Sequence, residues 1–342
     1  VQTCALPIWK IHTTLRKDIL FVCFAHYSGG IYDKMKKKLI AILAAAALIT
    51  PILLTSCSGG EDSILKHATE IKLNGATAEC DSETVYIDEN NKITITRAGT
   101  YAVSGTLDDG QIYVDCVDAG ELNLVLNGAT ITNNDSSCIV IKNATEAVIT
   151  LYEGTVNTVT DGTSYVFDKP TDDEPDAAIF SKEDLTLAGA GKLVVNGNYA
   201  GGIYSKDGLK IEGGEYEINA AAHGIKGKDY LVINGGTLDI HAIGDGIKSN
   251  NTESELVGYV EINGGKLNIY SEDEAVQAVS RITVNGGETV IQSINNGIKC
   301  AGSIKFNAGS VSIEAQDNAL DAAEITRNDA CTVTIDGSPY VG

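Results

Sequence analysis

The feature that most constrains this chain is an internal repeat of about 22 residues. An aliphatic residue, often within a Gly-Ile-Lys-like unit, recurs at Ile179, Ile203, Ile225, Ile247, Val276, Ile298 and Leu320. Gly-Gly pairs recur with the same spacing, at 213–214, 235–236, 264–265 and 286–287. One interval is longer because it contains the segment NNTESELVG at 250–258. A fixed period of this length is typical of proteins that stack one structural unit on the next.

Within each repeat, apolar residues alternate with polar ones, as in Leu231 and Ile233 or Val260 and Ile262. This period of two predicts short strands rather than helices. A coil of three such strands cannot bury its own apolar side. Stacked coils can, because each strand pairs in parallel with its counterpart about 4.8 Å away. The sequence therefore predicts an all-β fold, a right-handed parallel β-helix with three strands and about 22 residues per coil.

Two further columns of the repeat fit such a stack. Small residues stand two positions after each key aliphatic residue, at Ser181, Ser205, Gly227, Ser249, Ala278, Cys300 and Ala322. Asparagines stand before the turn glycines, at Asn234, Asn263, Asn285 and Asn307. Asn tolerates left-handed backbone and can hydrogen-bond to its copy in the next coil, so we expect a structural ladder.

The beginning of the chain has the character of an export signal. Met35 begins MKKKLIAILAAAALITPILLTSC, in which lysines precede an apolar run that ends at Cys57. The ending Leu-Thr-Ser-Cys resembles the lipobox of bacterial lipoproteins, which implies lipidation of Cys57 and anchoring to the bacterial cell envelope or surface. The alternative, a transmembrane helix, is disfavoured by Pro51 and by the Ser-Gly-Gly flank.

These features predict four segments. Residues 1–34 are expected to be spurious upstream translation, 35–57 the signal peptide, 58–80 a tether and 81–342 the β-helix domain, with irregular coils at 85–160. Five cysteines remain after position 57, an odd number without C-x-x-C spacing. This pattern favours small buried residues over a zinc site or a disulfide framework.

The charge of the chain narrows the class of ligand. The net charge is −21, and the residues after 57 are more acidic still. Such a protein is not expected to bind nucleic acid by phosphate neutralisation, whereas its carboxylates suit a hard cation such as calcium. Acidic and amide residues occupy the turn before the key aliphatic residue in the later coils, at Asp245, Asp273, Glu274, Asn295, Asn296 and Asp317.

Stacked carboxylates repel one another, and a bound Ca²⁺ would reverse that effect. We therefore predict a calcium site in this column, with a solvated acidic turn as the alternative. A weaker candidate is the acidic loop at 162–176, through Asp172, Asp173, Glu174 and Asp176.

A second column suggests a glycan-binding surface. Lys226, Lys248 and Lys299 follow their aliphatic residues by one position, and Phe180 and Tyr204 occupy the same column in earlier coils. Strand alternation points these side chains outward, with few local partners for the lysines. Sugar rings lie well on aromatic faces, and lysines can pair with uronate carboxylates. The alternative is a solvated surface.

The combined motifs resemble a known family. The stretches ITITRAGTYAVSGTLDDGQIYV, LNLVLNGATIT, AAIFSKEDL, NGNYAGGIYSKDGLKIEGG and HGIKGKDYLVINGGT are similar to the cell-surface carbohydrate-binding β-helix family, over roughly residues 80–342. That resemblance implies a fold like that of family-nine polysaccharide lyases, bound calcium, and cellulose or polygalacturonate as ligand. It implies function only weakly, since β-helices also serve as enzymes and adhesins.

Three functions follow as hypotheses. The preferred one is a lipid-anchored, calcium-binding, non-catalytic and monomeric protein that binds an acidic polysaccharide, with cellulose as a further possible ligand. A calcium-dependent polysaccharide lyase would need a basic Lys or Arg beside the ion, and no lysine stands isolated beside the acidic column. His67, His223 and His241 are scattered, without a nucleophile-and-base pair at repeat spacing. A structural adhesin without glycan affinity is the third.

Overall fold

The structure, a computed structural model, describes residues 61–118 and 120–341. Residues 1–34, the predicted signal peptide at 35–57 and the predicted lipidation site Cys57 lie outside the described residues. The helix α1 spans Glu61–His67 and is followed almost entirely by strands and turns. In the part of the chain that the structure describes, no helix has the length and apolar character needed to cross a membrane.

Thirty strands form most of the part of the chain that the structure describes. The N-terminal coils contain β1 Thr69–Gly75, β2 Ala78–Glu79, β3 Val85–Ile87, β4 Lys92–Ile95, β5 Gly99–Leu107, β6 Gln111–Asp115 and β7 Glu121–Asn133. Face 1 of the later coils contains β8 Ile139–Asn143, β11 Ala177–Ser181, β14 Gly201–Ser205, β17 Ile225–Gly227, β20 Ile247–Ser249, β23 Val276–Ala278, β26 Ile298–Phe306 and β28 Leu320–Arg327.

Face 2 contains β9 Glu146–Leu151, β12 Leu185–Gly189, β15 Gly208–Ile211, β18 Tyr230–Ile233, β21 Tyr259–Ile262 and β24 Arg281–Val284, and continues into the second halves of β26 and β28. Face 3 contains β10 Val156–Asp161, β13 Lys192–Gly197, β16 Glu215–Ala220, β19 Thr237–Ala242, β22 Lys266–Ser271, β25 Glu288–Ser293, β27 Gly309–Ala315 and β29 Cys331–Ile335. The strand β30, Ser338–Pro339, pairs antiparallel with β29.

Each strand of a face pairs in parallel with its counterpart in the next coil, one repeat along the chain. On face 1, Ile203 lies opposite Ile225, which lies opposite Ile247. The segment 250–258 leaves the column between β20 and β21 without shifting the register of either neighbour. This pairing confirms the predicted parallel β-helix, a fold in which equivalent side chains form files along the axis.

The inward files form one continuous apolar core. Ile225, Ile247 and Leu231 are fully buried, and the same holds at the equivalent positions of most coils. Burial of an aliphatic side chain of this size contributes about 1.5–3 kcal/mol. The described cysteines also belong here: Cys116, Cys138, Cys300 and Cys331 are buried and unpaired, while Cys80 is half-buried and unpaired. Hydrophobic stacking therefore holds the column together.

The predicted asparagine ladder is present at the turns between faces 2 and 3. The amide nitrogen of Asn263 donates to Asn234 Oδ1 (2.8 Å), that of Asn285 to Asn263 Oδ1 (2.7 Å), and that of Asn307 to Asn285 Oδ1 (2.7 Å). These bonds link four successive coils outside the backbone ladder.

The prediction of a tether at 58–80 is wrong for the second half of that segment, which is folded. The strand β1 pairs in parallel with β5, so residues from Thr69 onward belong to the folded column. Ile71 is fully buried and Leu73 is 6% exposed. The reason is that these two side chains supply part of the core at the N-terminal end.

Candidate functional site

The column that was predicted to bind glycan forms a continuous outward file on face 1. Backbone pairing places its members in the order Tyr113, Val140, Phe180, Tyr204, Lys226, Lys248, Gln277, Lys299 and Asp321. The file is apolar and aromatic in the earlier coils and polar or charged from Lys226 onward. Its two halves therefore have different environments.

Phe180 and Tyr204 do not present exposed rings, so their predicted role in stacking on sugars is wrong. Phe180 is 0% exposed and Tyr204 is 1% exposed. They point away from the main core, but they pack with Val140 and Ala177 in a second apolar cluster outside face 1. The Lys226 ammonium lies 4.0 Å from the centre of the Tyr204 ring. Outward direction in the strand thus does not mean contact with solvent here.

The acidic loop at 162–176 contributes ion pairs to this region. Glu174 pairs with Lys206 and, at 3.6 Å, with Lys182, while Asp176 lies 3.8 Å from Lys226 Nζ. The carboxylates of Glu174 and Asp176 are therefore already matched by lysines. Asp172 and Asp173 are exposed. These ion pairs indicate that the end of the loop is held against the lysines beside face 1. They disfavour the weaker cation site that was predicted in this loop.

Three predicted cation ligands meet in the turn before face 1. Asp245, Asp273 and Glu274 each place one carboxylate oxygen within 4.8 Å of the other two. Asp245 and Glu274 are 0% and 3% exposed, and Asp273 is half-buried. The turn is held in register because the parallel backbone bonding continues through it, from Gly246 N to Glu274 O (3.0 Å). We call these three residues the carboxylate cluster.

The predicted amide residues extend the cluster along the axis. Asn295 Nδ2 donates to Asp273 Oδ1 (2.9 Å), and Asn296 Nδ2 donates to Glu274 Oε1 (3.1 Å). Asp317, one coil further on, is exposed, and it is not one of the three grouped carboxylates. Asn318, which was not among the predicted ligands, continues the ladder by donating to Asn296 Oδ1 (3.2 Å).

The lysines of the file bond to these same carboxylates. Lys248 Nζ lies 2.6 Å from Asp245 Oδ2, and Lys299 Nζ lies 2.6 Å from Glu274 Oε1. The hydrogen bond to Glu274 raises the pKa of Lys299, whereas burial lowers the pKa of Lys226 despite the nearby Asp176. The expectation that these lysines have few local partners is wrong, because a carboxylate before face 1 lies close to each of them.

His223 is a member of the site that sequence reasoning missed. It occupies the turn position of Asp245 one coil earlier, and this repeat position is the signal that could have found it. Its Nδ1 accepts a hydrogen bond from the Asp245 backbone N–H (2.9 Å) and lies 3.2 Å from Asp245 Oδ2. Burial, with smaller effects of Lys248 and Lys226, lowers the pKa of His223 to about 4. The imidazole is therefore neutral at pH 7, and its contact with Asp245 is not an ion pair.

The donor set of the carboxylate cluster fits a hard divalent cation. Calcium binds oxygen ligands at about 2.3–2.6 Å, so one ion can reach several oxygens that lie within about twice that distance of each other. The mutual separation of 4.8 Å in the cluster meets this condition. Lys248 and Lys299 already neutralise part of the charge, so an ion would share or displace their contacts. The cluster can thus hold either a cation or a mixed ion-pair network.

Comparisons with known proteins agree with the fold. Residues 89–339 match a family model described as carbohydrate-binding domain-containing protein. A curated protein of that same description from Acetivibrio thermocellus is 37% identical over 186 residues, which is 52% of this chain and 65% of the relative. The match thus spans just under two thirds of the relative's length.

A solved structure is similar over most of the chain. It is described as the polysaccharide lyase-like protein from C. thermocellum, in a gadolinium derivative. The two chains are 33% identical and superpose with a TM-score of 0.67, over 78% of this chain and 99% of the other. The likeness therefore covers both the sequence and the fold.

Proposed function

This chain belongs to the family of carbohydrate-binding domain-containing proteins, and from that premise we propose that it is a non-catalytic, calcium-binding protein that recognises an acidic polysaccharide such as polygalacturonate. The observation that carries the proposal is the carboxylate cluster, in which Asp245, Asp273 and Glu274 converge beside two lysines. Carboxylate oxygens and ammonium groups together match the calcium and uronate chemistry of such a ligand.

In this proposal, different residues contact the calcium ion and the sugar. Asp245, Asp273 and Glu274 would hold Ca²⁺, which supplies a positive charge that uronate carboxylates can share. Lys299, whose side chain is 40% exposed, would pair with a second carboxylate of the glycan. Lys226 and Lys248, with side chains 15% and 17% exposed, would act mainly by balancing Asp176 and Asp245.

The solved relative supports a cation-binding capacity of this fold. It was obtained as a gadolinium derivative. Gadolinium is a hard cation and shares the preference of calcium for oxygen ligands. The carboxylate cluster of this chain offers oxygen ligands of the kind that such a cation prefers.

Calcium binding is tested by thermal melting with calcium and with chelator. We expect calcium to raise the Tm of the wild type and to have little effect on the double variant Asp273→Asn, Glu274→Gln, which keeps size and removes two charges. The control is Asp239→Asn, an exposed carboxylate on β19 whose loss should leave the response unchanged. Identical melting of the wild type in calcium and in chelator would contradict the calcium assignment.

Glycan recognition is tested by calorimetry with polygalacturonate in millimolar calcium. Binding is expected for the wild type, weaker binding for Lys299→Ala, and unchanged binding for Lys305→Ala, which removes an exposed lysine from the adjacent face. Absence of binding by the wild type would overturn the acidic-glycan proposal. Calcium-dependent melting without glycan retention would instead identify a structural adhesin.

One observation favours a lyase as the second candidate. Burial lowers the pKa of Lys226, and Lys226 lies directly opposite Lys248 in the file. A lysine with a lowered pKa is the kind of base that β-elimination of a uronan requires. Absorbance of unsaturated products, formed by the wild type and not by Lys226→Ala, would establish the lyase. A flat trace from neutral to alkaline pH in calcium would dismiss it.

Surface anchoring is a separate part of the proposal and depends on the motif at Cys57. Growth with labelled palmitate should yield a labelled wild-type protein and an unlabelled Cys57→Ser variant. A wild type that remains unlabelled would remove the lipid anchor from the proposal.

A further inference from the structure

We propose that face 3 carries a second glycan-binding surface, suited to a neutral linear polysaccharide. The surface consists of the outward file Asn196, Asn219, His241, Tyr270, Gln292 and Glu314, which we call the amide–aromatic face. The inference rests on the carbohydrate-binding function proposed above, but it requires neither the calcium ion nor the lysines of face 1.

The file is continuous and in register over six coils. Backbone pairing places each member directly opposite the next, from Asn196 on β13 to Glu314 on β27. The rise between neighbours is about 4.8 Å, which is comparable with the length of one pyranose residue in a linear polysaccharide. A sugar chain that lies along the axis would therefore meet an equivalent position of the file at each ring.

Aromatic and aliphatic groups are exposed in the middle of this face. The Tyr270 residue is 38% exposed, and the His241 side chain is 55% exposed. Their ring centres lie 5.8 Å apart with planes inclined by 35°. Ile243 and Ile294, at the end of the adjacent strands, are 57% and 41% exposed. Exposed aromatic and aliphatic groups grouped on an otherwise polar surface are typical of a binding site.

The ends of the face supply hydrogen-bonding groups. Asn219 Nδ2 donates to Asn196 Oδ1 (3.1 Å), and Gln292 Nε2 donates to Glu314 Oε2 (3.2 Å). A side-chain amide has two donor hydrogens and a carbonyl oxygen, so one such bond leaves groups that can reach sugar hydroxyls. The same bonds fix the orientation of the amides before a ligand arrives.

The charge around the face selects against acidic glycans. The file contains Glu314 and no lysine or arginine, and Asp239 and Glu272 lie on its borders. The Asp239 side chain is 52% exposed. Uronate carboxylates would meet like charges here, whereas the hydroxyls of a neutral sugar can donate to carboxylate oxygens. This charge separates the ligand class of face 3 from that of the carboxylate cluster, of which Asp273 directly follows Glu272 in the chain.

The test is calorimetry of the full chain with linear neutral hexasaccharides of β-1,4-linked glucose and of β-1,4-linked mannose, in the presence of chelator. We expect the wild type to bind at least one of them, and Tyr270→Ala to bind at least about tenfold more weakly, since exposed aromatic anchors dominate such surfaces. Tyr270→Phe should keep most of the affinity. The matched control is Tyr86→Ala, which removes a tyrosine that is 66% exposed on β3.

The outcomes separate this inference from the proposed function. Binding of polygalacturonate in calcium, unaffected by Tyr270→Ala, together with no binding of either neutral hexasaccharide, would overturn the amide–aromatic face alone. Loss of neutral-glycan binding on chelation, or wild-type affinity in Tyr270→Ala, would also overturn it. Failure to bind any of these glycans would overturn both the acidic-glycan proposal and the amide–aromatic face. Equal melting temperatures of the tyrosine variants would show that folding is not the cause of a loss.

Discussion

His223 and Asp245 show how one position of the repeat can hold two different kinds of group. Both occupy the turn before face 1, one coil apart, and the imidazole accepts a hydrogen bond from the Asp245 backbone. A proton on His223 would remove that acceptor and add a positive charge beside Lys248 and Lys226. Burial is the largest cause of the lowered pKa, and the neutral imidazole is therefore the form that the folded protein stabilises.

This environment predicts a loss of stability in mild acid. The pKa of His223 falls from its ordinary 6.5 to about 4 on folding. Between these values the unfolded chain binds the proton and the folded chain does not, so the free energy of unfolding decreases as pH falls from 6.5 to 4. We expect this decrease to amount to roughly 2 to 3 kcal/mol and to be smaller in His223→Asn, which keeps an acceptor without a titrating group.

Urea denaturation at a series of pH values measures the effect. His67→Asn is the control, since His67 is exposed on α1 and should leave the pH dependence unchanged. If the pH profile of His223→Asn coincides with that of the wild type, His223 is not the cause of the loss of stability in mild acid.

At the scale of single residues, the sequence predicted the carboxylate cluster better than the outward file of face 1. The repeat spacing was enough to bring Asp245, Asp273 and Glu274 into one column. It could not show that Phe180 and Tyr204 are buried, because a strand alternates between two directions and does not record what packs outside it. Only the tertiary structure reveals the second apolar cluster.

At the scale of elements, the Gly-Gly turns allow successive coils to approach each other closely. Gly265 has a φ of 90°, and a Cβ added there would lie 2.7 Å from the backbone oxygen of Gly236 in the preceding coil. That oxygen accepts the Lys266 N–H at 2.9 Å. The turn therefore needs glycine both for its backbone conformation and for the contact between coils.

A pair of alanine substitutions separates these two requirements. Gly128 has a φ of 73°, and no atom lies within 4 Å of an added Cβ. We expect Gly128→Ala to cost about 1 kcal/mol from backbone strain. Gly265→Ala should cost about 2 to 4 kcal/mol, because overpacking adds to the strain. Urea denaturation gives both values, and equal costs would show that contact between the turns contributes nothing.

The elements themselves were largely predictable because their patterns are repeated. The period-two alternation and the turn glycines predicted the strands of coils such as β17–β19, and the asparagine ladder followed from the same spacing. The first coils were less predictable. The strand β1 lies within the predicted tether, and its sequence gives a weak signal. It contains only two inward apolar side chains, Ile71 and Leu73, and it lies outside the regular repeat series.

At the scale of the whole molecule, the negative charge opposes the compact state. The chain has 46 acidic and 25 basic residues. Many of its ion pairs are exposed, such as Lys72 with Glu70, and such pairs contribute little. Repulsion among the remaining carboxylates is screened by salt over about 10 Å at 0.1 M.

Neutral salt should therefore raise the Tm by a few degrees. Melting in increasing sodium chloride measures the effect, and tetramethylammonium chloride provides a control for screening without specific ion binding. The two salts should give similar shifts, and calcium chloride at the same ionic strength should give a larger one. A Tm that falls with sodium chloride would mean that ion pairs outweigh repulsion in this fold.

In-register pairing between coils has a consequence for how such a chain can change in evolution. Ile225 and Ile247 lie opposite each other, and their neighbours along the chain repeat the match. Duplicating or deleting one repeat in the gene would create junctions that copy existing ones. The number of coils can therefore change by one at a time, while the three-faced cross-section of the β-helix stays the same.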